Sequence, residues 1–143
     1  MDTLKIKKLD PSAECPQKAN EGDLGYDLFA LKTTSIPNGT TKLVGTGIAI
    51  QFPVGWGGVI KDRSSIAMQG IFISAGVIDS GYRGEVQILI TNHSGSTFLI
   101  EHKHKIAQLV PIPTTDWSLE VVDLLDDSDR DSDGFGSTGP YKK

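Results

Sequence analysis

Apolar residues occur along the chain in short runs that alternate with polar positions, and turn residues separate the runs. β-Branched and aromatic residues with a two-residue period suit a half-buried strand. The candidate strands are residues 4–7, 26–31, 43–52, 86–91, 97–100, 106–112 and 119–124. The best helix candidate is short, residues 64–69. Many short strands between turns predict an all-β fold, either an antiparallel sandwich or a barrel.

The length and the distribution of apolar residues indicate one folded domain followed by an arm. A chain of 143 residues suits a single domain with its own core. We assign residues 1–125 to this β domain and residues 126–143 to a flexible C-terminal arm, because the arm has too few apolar residues to pack alone. Acidic residues crowd the start of the arm: Asp126, Asp127, Asp129, Asp131 and Asp133.

Composition argues against several classes of protein. The net charge of −4 does not favour non-specific nucleic-acid binding. No apolar run approaches the ~20 residues of a membrane span, and the start of the chain lacks the apolar core of a signal peptide. The single cysteine, Cys15, forms no intrachain disulfide. We therefore expect an intracellular protein, cytoplasmic by default or in a nucleus or a virus-infected cell, with no nucleic-acid or membrane partner.

The segment from Gly76 to Glu85 is the first candidate for chemistry. Asp79 follows the apolar pair Val77-Ile78, and Ser80-Gly81 supply turn residues before Tyr82. With the next strand starting at Val86, this pattern predicts a β-hairpin that carries Asp79 on its rim. The alternative is a strand-end aspartate that accepts hydrogen bonds from the turn.

Further polar residues lie at the start of the predicted helix or within predicted strands. Arg63 precedes Ser64 and Ser65 at the start of the predicted helix, where backbone N–H groups attract anions. The alternative is an ordinary serine cap with a surface arginine. Asp27 and Gln108 each interrupt an apolar strand, and Gln108 could simply face solvent by alternation.

The arm contains a glycine-rich sequence with donors and one aromatic ring. Glycines such as Gly136 let a backbone wrap closely around a ligand, Ser137 and Thr138 offer hydroxyls, and Arg130 offers a fork for phosphate oxygens. Phe135 could stack on a planar base. The alternative is an unstructured tail.

Taken in order, these segments resemble the five motifs of the trimeric dUTP diphosphatases, also called deoxyuridine triphosphatases. The motifs read Gly-Tyr-Asp-Leu, Arg-Ser-Ser, Gly-Val-Ile-Asp-x-x-Tyr-Arg-Gly, Ile-Ala-Gln-Leu and Gly-Phe-Gly-Ser-Thr-Gly, and the resemblance covers residues 4 to 139. It implies jelly-roll-like subunits in a homotrimer, with active sites shared between chains. It also implies Mg²⁺-dependent hydrolysis of dUTP to dUMP and pyrophosphate, which keeps uracil out of DNA and supplies dUMP for thymidylate synthesis.

The resemblance assigns a role to each matching residue. Asp79 would activate the water that attacks the α-phosphorus, and Asp27 would act on Mg²⁺ through water. Tyr82 would stack under the deoxyribose, and the backbone of residues 76–78 would read the uracil edge. The residues assigned to substrate binding are Arg63, Ser64, Ser65, Gly76, Val77, Ile78, Tyr82, Gln108, Arg130, Phe135, Gly136, Ser137 and Thr138. Among them Arg130 would meet the γ-phosphate and Phe135 would cover the uracil, both arriving from a neighbouring subunit.

Three positions depart from the motifs as the family commonly has them. Asp62 stands where proline usually precedes Arg-Ser, which is expected to loosen that turn and to add a negative charge near the phosphates. Asp131 and Asp133 stand where the arm usually has glycine. Two extra carboxylates beside a triphosphate would repel it unless they point away or bind Mg²⁺.

Three alternative hypotheses fit the sequence less well. A dCTP deaminase shares Arg-Ser-Ser and Ile-Asp-x-Gly, but its glutamate position is Leu89 here, and its second arginine position is Met68. A non-catalytic jelly-roll binding protein would not need Asp79, Tyr82 and Arg130 together. His102 and His104 could share a strand face as Zn²⁺ ligands, but no third ligand is nearby in the sequence, and the charged neighbours suggest a solvated turn.

Overall fold

The computed structural model describes residues 3–134 and 137–141. Within them the chain forms ten strands and one short helix. The strands are β1 (Lys5–Lys8), β2 (Tyr26–Phe29), β3 (Thr34–Ile36), β4 (Thr41–Gln51), β5 (Trp56–Lys61), β6 (Ile71–Ser74), β7 (Val77–Ile78), β8 (Glu85–Asn92), β9 (Phe98–Ile100) and β10 (Lys105–Pro113), and the helix is α1 (Ser64–Ala67).

The strands form two four-stranded antiparallel sheets and one small ribbon. One sheet has the order β1-β4-β8-β6 and the other the order β2-β10-β5-β7, while β3 pairs with β9. Most neighbours in these sheets are far apart in sequence, as a jelly roll requires. The predicted all-β, jelly-roll-like antiparallel sandwich is therefore confirmed.

The core lies between the two sheets and follows the two-residue period of the strands. On β8, Val86, Ile88 and Ile90 are buried and Gln87 is exposed, because successive side chains point to opposite faces. β10 belongs to the other sheet, and its residues Ile106 and Leu109 are fully buried in the same core. Burying each such side chain contributes about 1.5–3 kcal/mol relative to exposure. This apolar layer fixes which strand faces remain for the polar groups of the site.

The expected hairpin after Gly76 is wrong in its strand pairing. β7 pairs with β5, with Ile78 opposite Gly58, whereas β8 pairs with β4 and β6 in the other sheet. The turn is as expected, since the Tyr82 N–H donates to the Asp79 carbonyl at 3.0 Å. The chain therefore leaves one sheet, turns at Asp79 and enters the other, so that Asp79 lies at a crossing between the sheets.

Gly76 makes this crossing possible. Its φ of 97° is in the left-handed region that favours glycine, and a Cβ there would lie 2.8 Å from the carbonyl oxygen of Ile60. The Gly76 carbonyl also accepts the Ile60 N–H at 2.7 Å. The backbone can therefore approach β5 closely only because this position has no side chain.

Two further predictions about elements are wrong in detail. Residues 119–124 form no strand and pair with nothing in the described part of the chain, and Leu119 and Val121 are 96% and 100% exposed. A strand needs a partner for its backbone, and one protomer offers none there. The helix is four residues long and ends before Gly70, whose φ is 80°. No helix in residues 3–134 and 137–141 has the length and apolarity needed to cross a membrane.

Candidate active site

The first group of site residues surrounds a cleft of about 280 Å³, which we call the arginine–serine cleft. It is lined by Ala19, Asp23, Leu24, Gly25, Asp27, Arg63, Ser64, Ser65 and Gln108. The sheet β2-β10-β5 assembles it, because β10 places Gln108 opposite Asp27 on β2 and opposite Lys61 on β5. Arg63 lies two residues after the end of β5, with Asp62 between them, and α1 begins at Ser64. Three motifs that are distant in sequence thus meet in one cleft.

Asp27 is buried at the base of the cleft and is paired with two cations. Its Oδ1 lies 3.0 Å from Arg63 Nε, and its Oδ2 lies 2.8 Å from Lys105 Nζ. Arg63 also donates from Nη1 to the Lys105 carbonyl at 3.3 Å. This trio carries a net charge of +1 and holds the Arg63 guanidinium in place. Lys105 was not among the residues expected in the site, because nothing in the local sequence indicates that the fold brings its ammonium group to Asp27.

Gln108 does not simply face solvent. It is half-buried, and its Nε2 donates to the Asp62 carbonyl at 2.8 Å, which ties β10 to the turn before Arg63. A Cβ on Gly25 would overlap the Gln108 side-chain amide. Gly25 therefore acts as a spacer for Gln108, a role that sequence reasoning did not assign. Its position immediately before Tyr26-Asp27 in the first motif was the available signal.

The second group surrounds a separate cleft of about 310 Å³, which we call the Asp79 cleft. It is lined by Leu43, Ile60, Ser74, Ala75, Gly76, Val77, Ile78, Asp79, Tyr82, Glu85, Val86, Gln87 and Leu89. Asp79 and Val77 are exposed while Ile78 is buried, so β7 presents its backbone and alternate side chains to the cleft. The residues of the third motif thus lie together in this second cleft.

Tyr82 is held on the rim of the Asp79 cleft. Its ring is 46% exposed, and its hydroxyl donates to the Glu85 carbonyl at 2.9 Å. A Cβ on Gly84 would overlap the Tyr82 phenol. Gly84 therefore leaves room for the ring, which is a second glycine role that sequence reasoning did not assign.

Leu89 also lines the Asp79 cleft. A leucine has no ionisable group and can neither accept nor donate a proton. Leu89 occupies the position at which a deaminase would carry its glutamate, and it adds an apolar surface to this cleft. This argues against the deaminase hypothesis.

The two clefts remain separate within one protomer. Among the described residues, no residue lines both of them. Arg130, Ser137 and Thr138 of the arm are exposed and line neither cleft, and Arg130 donates from Nε to the Asp133 carbonyl at 3.0 Å. Phe135 and Gly136 lie outside the described residues. One protomer thus assembles the first, second and fourth motifs in one cleft and the third motif in the other. It does not bring these two clefts and the described residues of the arm together.

The histidine pair is not assembled as a metal site. His102 Nδ1 lies 2.6 Å from the Leu31 carbonyl in a turn before β10, and the His104 ring packs against Phe98. Across residues 3–134 and 137–141, no group of three or more histidine, cysteine, aspartate or glutamate side chains is arranged to hold a metal ion.

Comparison with known proteins agrees with this arrangement. The dUTPase family model matches residues 11–139. The chain is 42% identical over 142 residues to the deoxyuridine 5'-triphosphate nucleotidohydrolase of Clostridioides difficile, which covers 97% of this chain and 99% of that protein. It is 43% identical over 145 residues to the enzyme of the same name from Clostridium acetobutylicum, covering 99% of this chain and all of that protein.

Solved structures lead to the same family. A mutant dUTPase of Staphylococcus bacteriophage 80alpha with bound dUpNHpp has a TM-score of 0.90 at 27% identity and covers 96% of this chain and 98% of that chain. A mutant dUTPase of phage phi11 of S. aureus, which coordinates a structural Mg(II) ion, has a TM-score of 0.79 at 26% identity and covers 85% and 97% of the two chains. With its first four motifs assembled into two clefts on a jelly-roll scaffold, the chain belongs to the dUTPase family and is a nucleotide pyrophosphohydrolase.

Proposed function

We propose that this chain hydrolyses dUTP to dUMP and pyrophosphate, with water attacking the α-phosphorus. The observation that carries the proposal is the position of Asp79, an exposed carboxylate on the rim of a cleft that also contains Tyr82 and the edge strand β7. An exposed carboxylate can accept a proton from a water held beside it. Such a reaction inside the cell would keep uracil out of DNA and supply dUMP.

Backbone groups of β7 support uracil selection. β7 is the last strand of its sheet and pairs with β5 on one side only. Within the part of the chain that the structure describes, backbone N–H and C=O groups on the other side of residues 76–78 therefore have no strand partner. Fixed donors and acceptors of this kind accept one base edge and reject another, because a mismatched polar group loses its hydrogen bond. Gly76, Val77 and Ile78 are therefore proposed to read uracil, with Tyr82 placed against the deoxyribose.

The arginine–serine cleft is proposed to bind the phosphates. Arg63 is held by Asp27, and Ser64, Ser65 and Gln108 add uncharged polar groups to the same cleft. Positioned donors contribute to phosphoryl transfer by neutralising charge rather than by covalent chemistry. In this proposal the Asp79 cleft binds the base and the sugar, and the arginine–serine cleft binds the triphosphate.

The residues fit a Mg²⁺ ion held mainly by the substrate. Asp27 is engaged with Arg63 and Lys105, so it is not free to serve as one of several direct carboxylate ligands. Mg²⁺ keeps several waters and leans on substrate phosphates, so a contact from Asp27 through water suits this ion. When bound, Mg²⁺ would supply charge neutralisation on the phosphate oxygens.

The separation of the two clefts supports a homotrimer with shared sites. The apolar segment before the arm is uncovered, with Trp117 and Leu119 79% and 96% exposed, and an uncovered apolar patch indicates an interaction surface. A neighbouring subunit would supply the missing partners. We propose that the arm, residues 126–143, then closes over a neighbour's site, with Arg130 at the γ-phosphate, Phe135 over the uracil, and Gly136, Ser137 and Thr138 at the phosphates.

A nucleotide panel tests the proposal. Purified protein with Mg²⁺ is incubated with dUTP, dTTP, dCTP and UTP, and pyrophosphate and ammonia are measured. We expect pyrophosphate from dUTP far faster than from the other three. Equal turnover of all four nucleotides, or ammonia from dCTP, would refute the assignment.

A further inference from the structure

Asp62 makes two contacts that link the arginine–serine cleft to the rest of the sandwich. Its Oδ1 accepts the Ile73 N–H at 2.5 Å, and its carbonyl accepts the Gln108 Nε2 donor at 2.8 Å. Asp62 is half-buried and stands between β5 and Arg63. One residue therefore contacts β6 of one sheet and β10 of the other.

The contact with Ile73 occupies an open strand edge. β6 is the last strand of the sheet β1-β4-β8-β6, so among the described residues the backbone groups on its outer side have no strand partner. The Asp62 carboxylate takes one of these N–H groups, and a hydrogen bond to a charged acceptor is stronger than one between neutral groups. The turn that follows β5 is therefore fastened to the neighbouring sheet at the residue immediately before Arg63.

The direction of the carboxylate also matters for charge. The residues that line the arginine–serine cleft, within the described part of the chain, do not include Asp62. The Asp62 carboxylate is turned to the β6 backbone, and its hydrogen bond from Ile73 counters the loosening of the turn that the sequence suggested. Asp62 fastens the turn.

We propose that Asp62 is a positioning residue, which fixes the turn that presents Arg63 and Ser64 and anchors Gln108 for binding the triphosphate. This inference rests on the proposed function. The hydrogen bond from Ile73 performs the restricting role that a proline ring would perform by covalent means. The Asp62 N–H donates no hydrogen bond within residues 3–134 and 137–141, so a proline there would remove no backbone hydrogen bond, and Lys61 before it has the extended backbone that precedes proline.

The test compares Asp62→Ala with Asp62→Asn and Asp62→Pro. Alanine removes the acceptor, asparagine keeps an acceptor oxygen without the charge, and proline restricts the turn. The matched control is Asp10→Ala, because Asp10 also accepts a backbone N–H, from Ser12 at 2.8 Å, but lines neither cleft. Binding of a non-hydrolysable dUTP analogue and of dUMP is measured by calorimetry, together with KM and kcat for dUTP.

For Asp62→Ala we expect about tenfold weaker binding of the triphosphate analogue and a matching rise in KM, from loss of one charge-assisted hydrogen bond. Binding of dUMP, which lacks the β- and γ-phosphates, should change by no more than about twofold. Asp62→Asn and Asp62→Pro should restore most of the affinity, and Asp10→Ala should resemble the wild type. Equal losses for both ligands, or no loss for either, would overturn the proposal.

Hydrogen exchange at the Ile73 amide gives a readout that is independent of catalysis. Asp62→Ala should speed its exchange, and Asp62→Asn should largely preserve protection. If Asp62→Ala does not fold, the asparagine and proline variants decide the question, because loss of triphosphate affinity in both would contradict the positioning role. If wild-type protein does not hydrolyse dUTP, the proposed function fails, whereas normal wild-type turnover with unaffected Asp62 variants removes only this inference.

Discussion

The two clefts are built in different ways. The Asp79 cleft is formed by an edge strand, a tight turn and exposed side chains, and its shape follows from Gly76 and Gly84, which keep β7 and Tyr82 in place. The arginine–serine cleft depends on polar contacts of its side chains, in which the Asp27 carboxylate holds Arg63 and the Asp62 backbone carbonyl holds the Gln108 amide. The backbone conformation fixes the shape of the Asp79 cleft, whereas polar contacts fix the arrangement of the arginine–serine cleft. Substitutions should therefore affect chemistry and selectivity in one cleft, and affinity and stability in the other.

The strongest test of this contrast is Asp79→Asn. The amide cannot accept a proton as a base, while size and shape are kept, so we expect kcat to fall by about 10²–10⁴-fold with dUTP binding largely retained. Stopped-flow turnover and calorimetric binding check this, with the exposed Asp123→Asn as control. Near-wild-type kcat would remove Asp79 from the role of base.

Asp27→Asn should affect the other cleft through affinity and stability. The substitution leaves Arg63 and Lys105 without their carboxylate, and breaking a buried ion pair costs about 3–5 kcal/mol, a range reduced by the partial exposure of both cations, 29% and 36%. We expect a lower melting temperature and a raised KM with a smaller change in kcat. A loss confined to kcat, with the melting temperature unchanged, would contradict the division between the clefts.

Gly84→Ala should give the smallest effect and a change in selectivity. The added Cβ overlaps the Tyr82 phenol, so the ring must move from its place on the rim of the Asp79 cleft, where we propose that it meets the deoxyribose. We expect the preference for dUTP over UTP, measured as the ratio of kcat/KM values, to fall by about tenfold. Gly81→Ala is the matched control, because a Cβ there meets nothing within 4 Å. If both variants lose selectivity alike, general loosening of the turn explains the effect instead.

Much of the fold could be predicted because strand patterns are local. The two-residue alternation in β8 and the apolar run of β4 identify strands without knowledge of their partners. The segment 119–124 shows the limit, since the same pattern forms no strand where one protomer supplies no partner. The hairpin shows the same limit, because turn residues do not say which sheet the next strand joins.

The family, the all-β class and the residues that carry acidic, basic and hydroxyl groups could be inferred without the fold, because motif order and alternation are properties of the linear chain. The folded structure was needed to show that Asp27 pairs with Arg63 and Lys105, that Asp62 turns its carboxylate to β6, and that the first four motifs divide between two clefts. These outcomes depend on the packing of strands that are distant in sequence, and the direction of a side chain is set by the partners that packing brings within hydrogen-bonding distance.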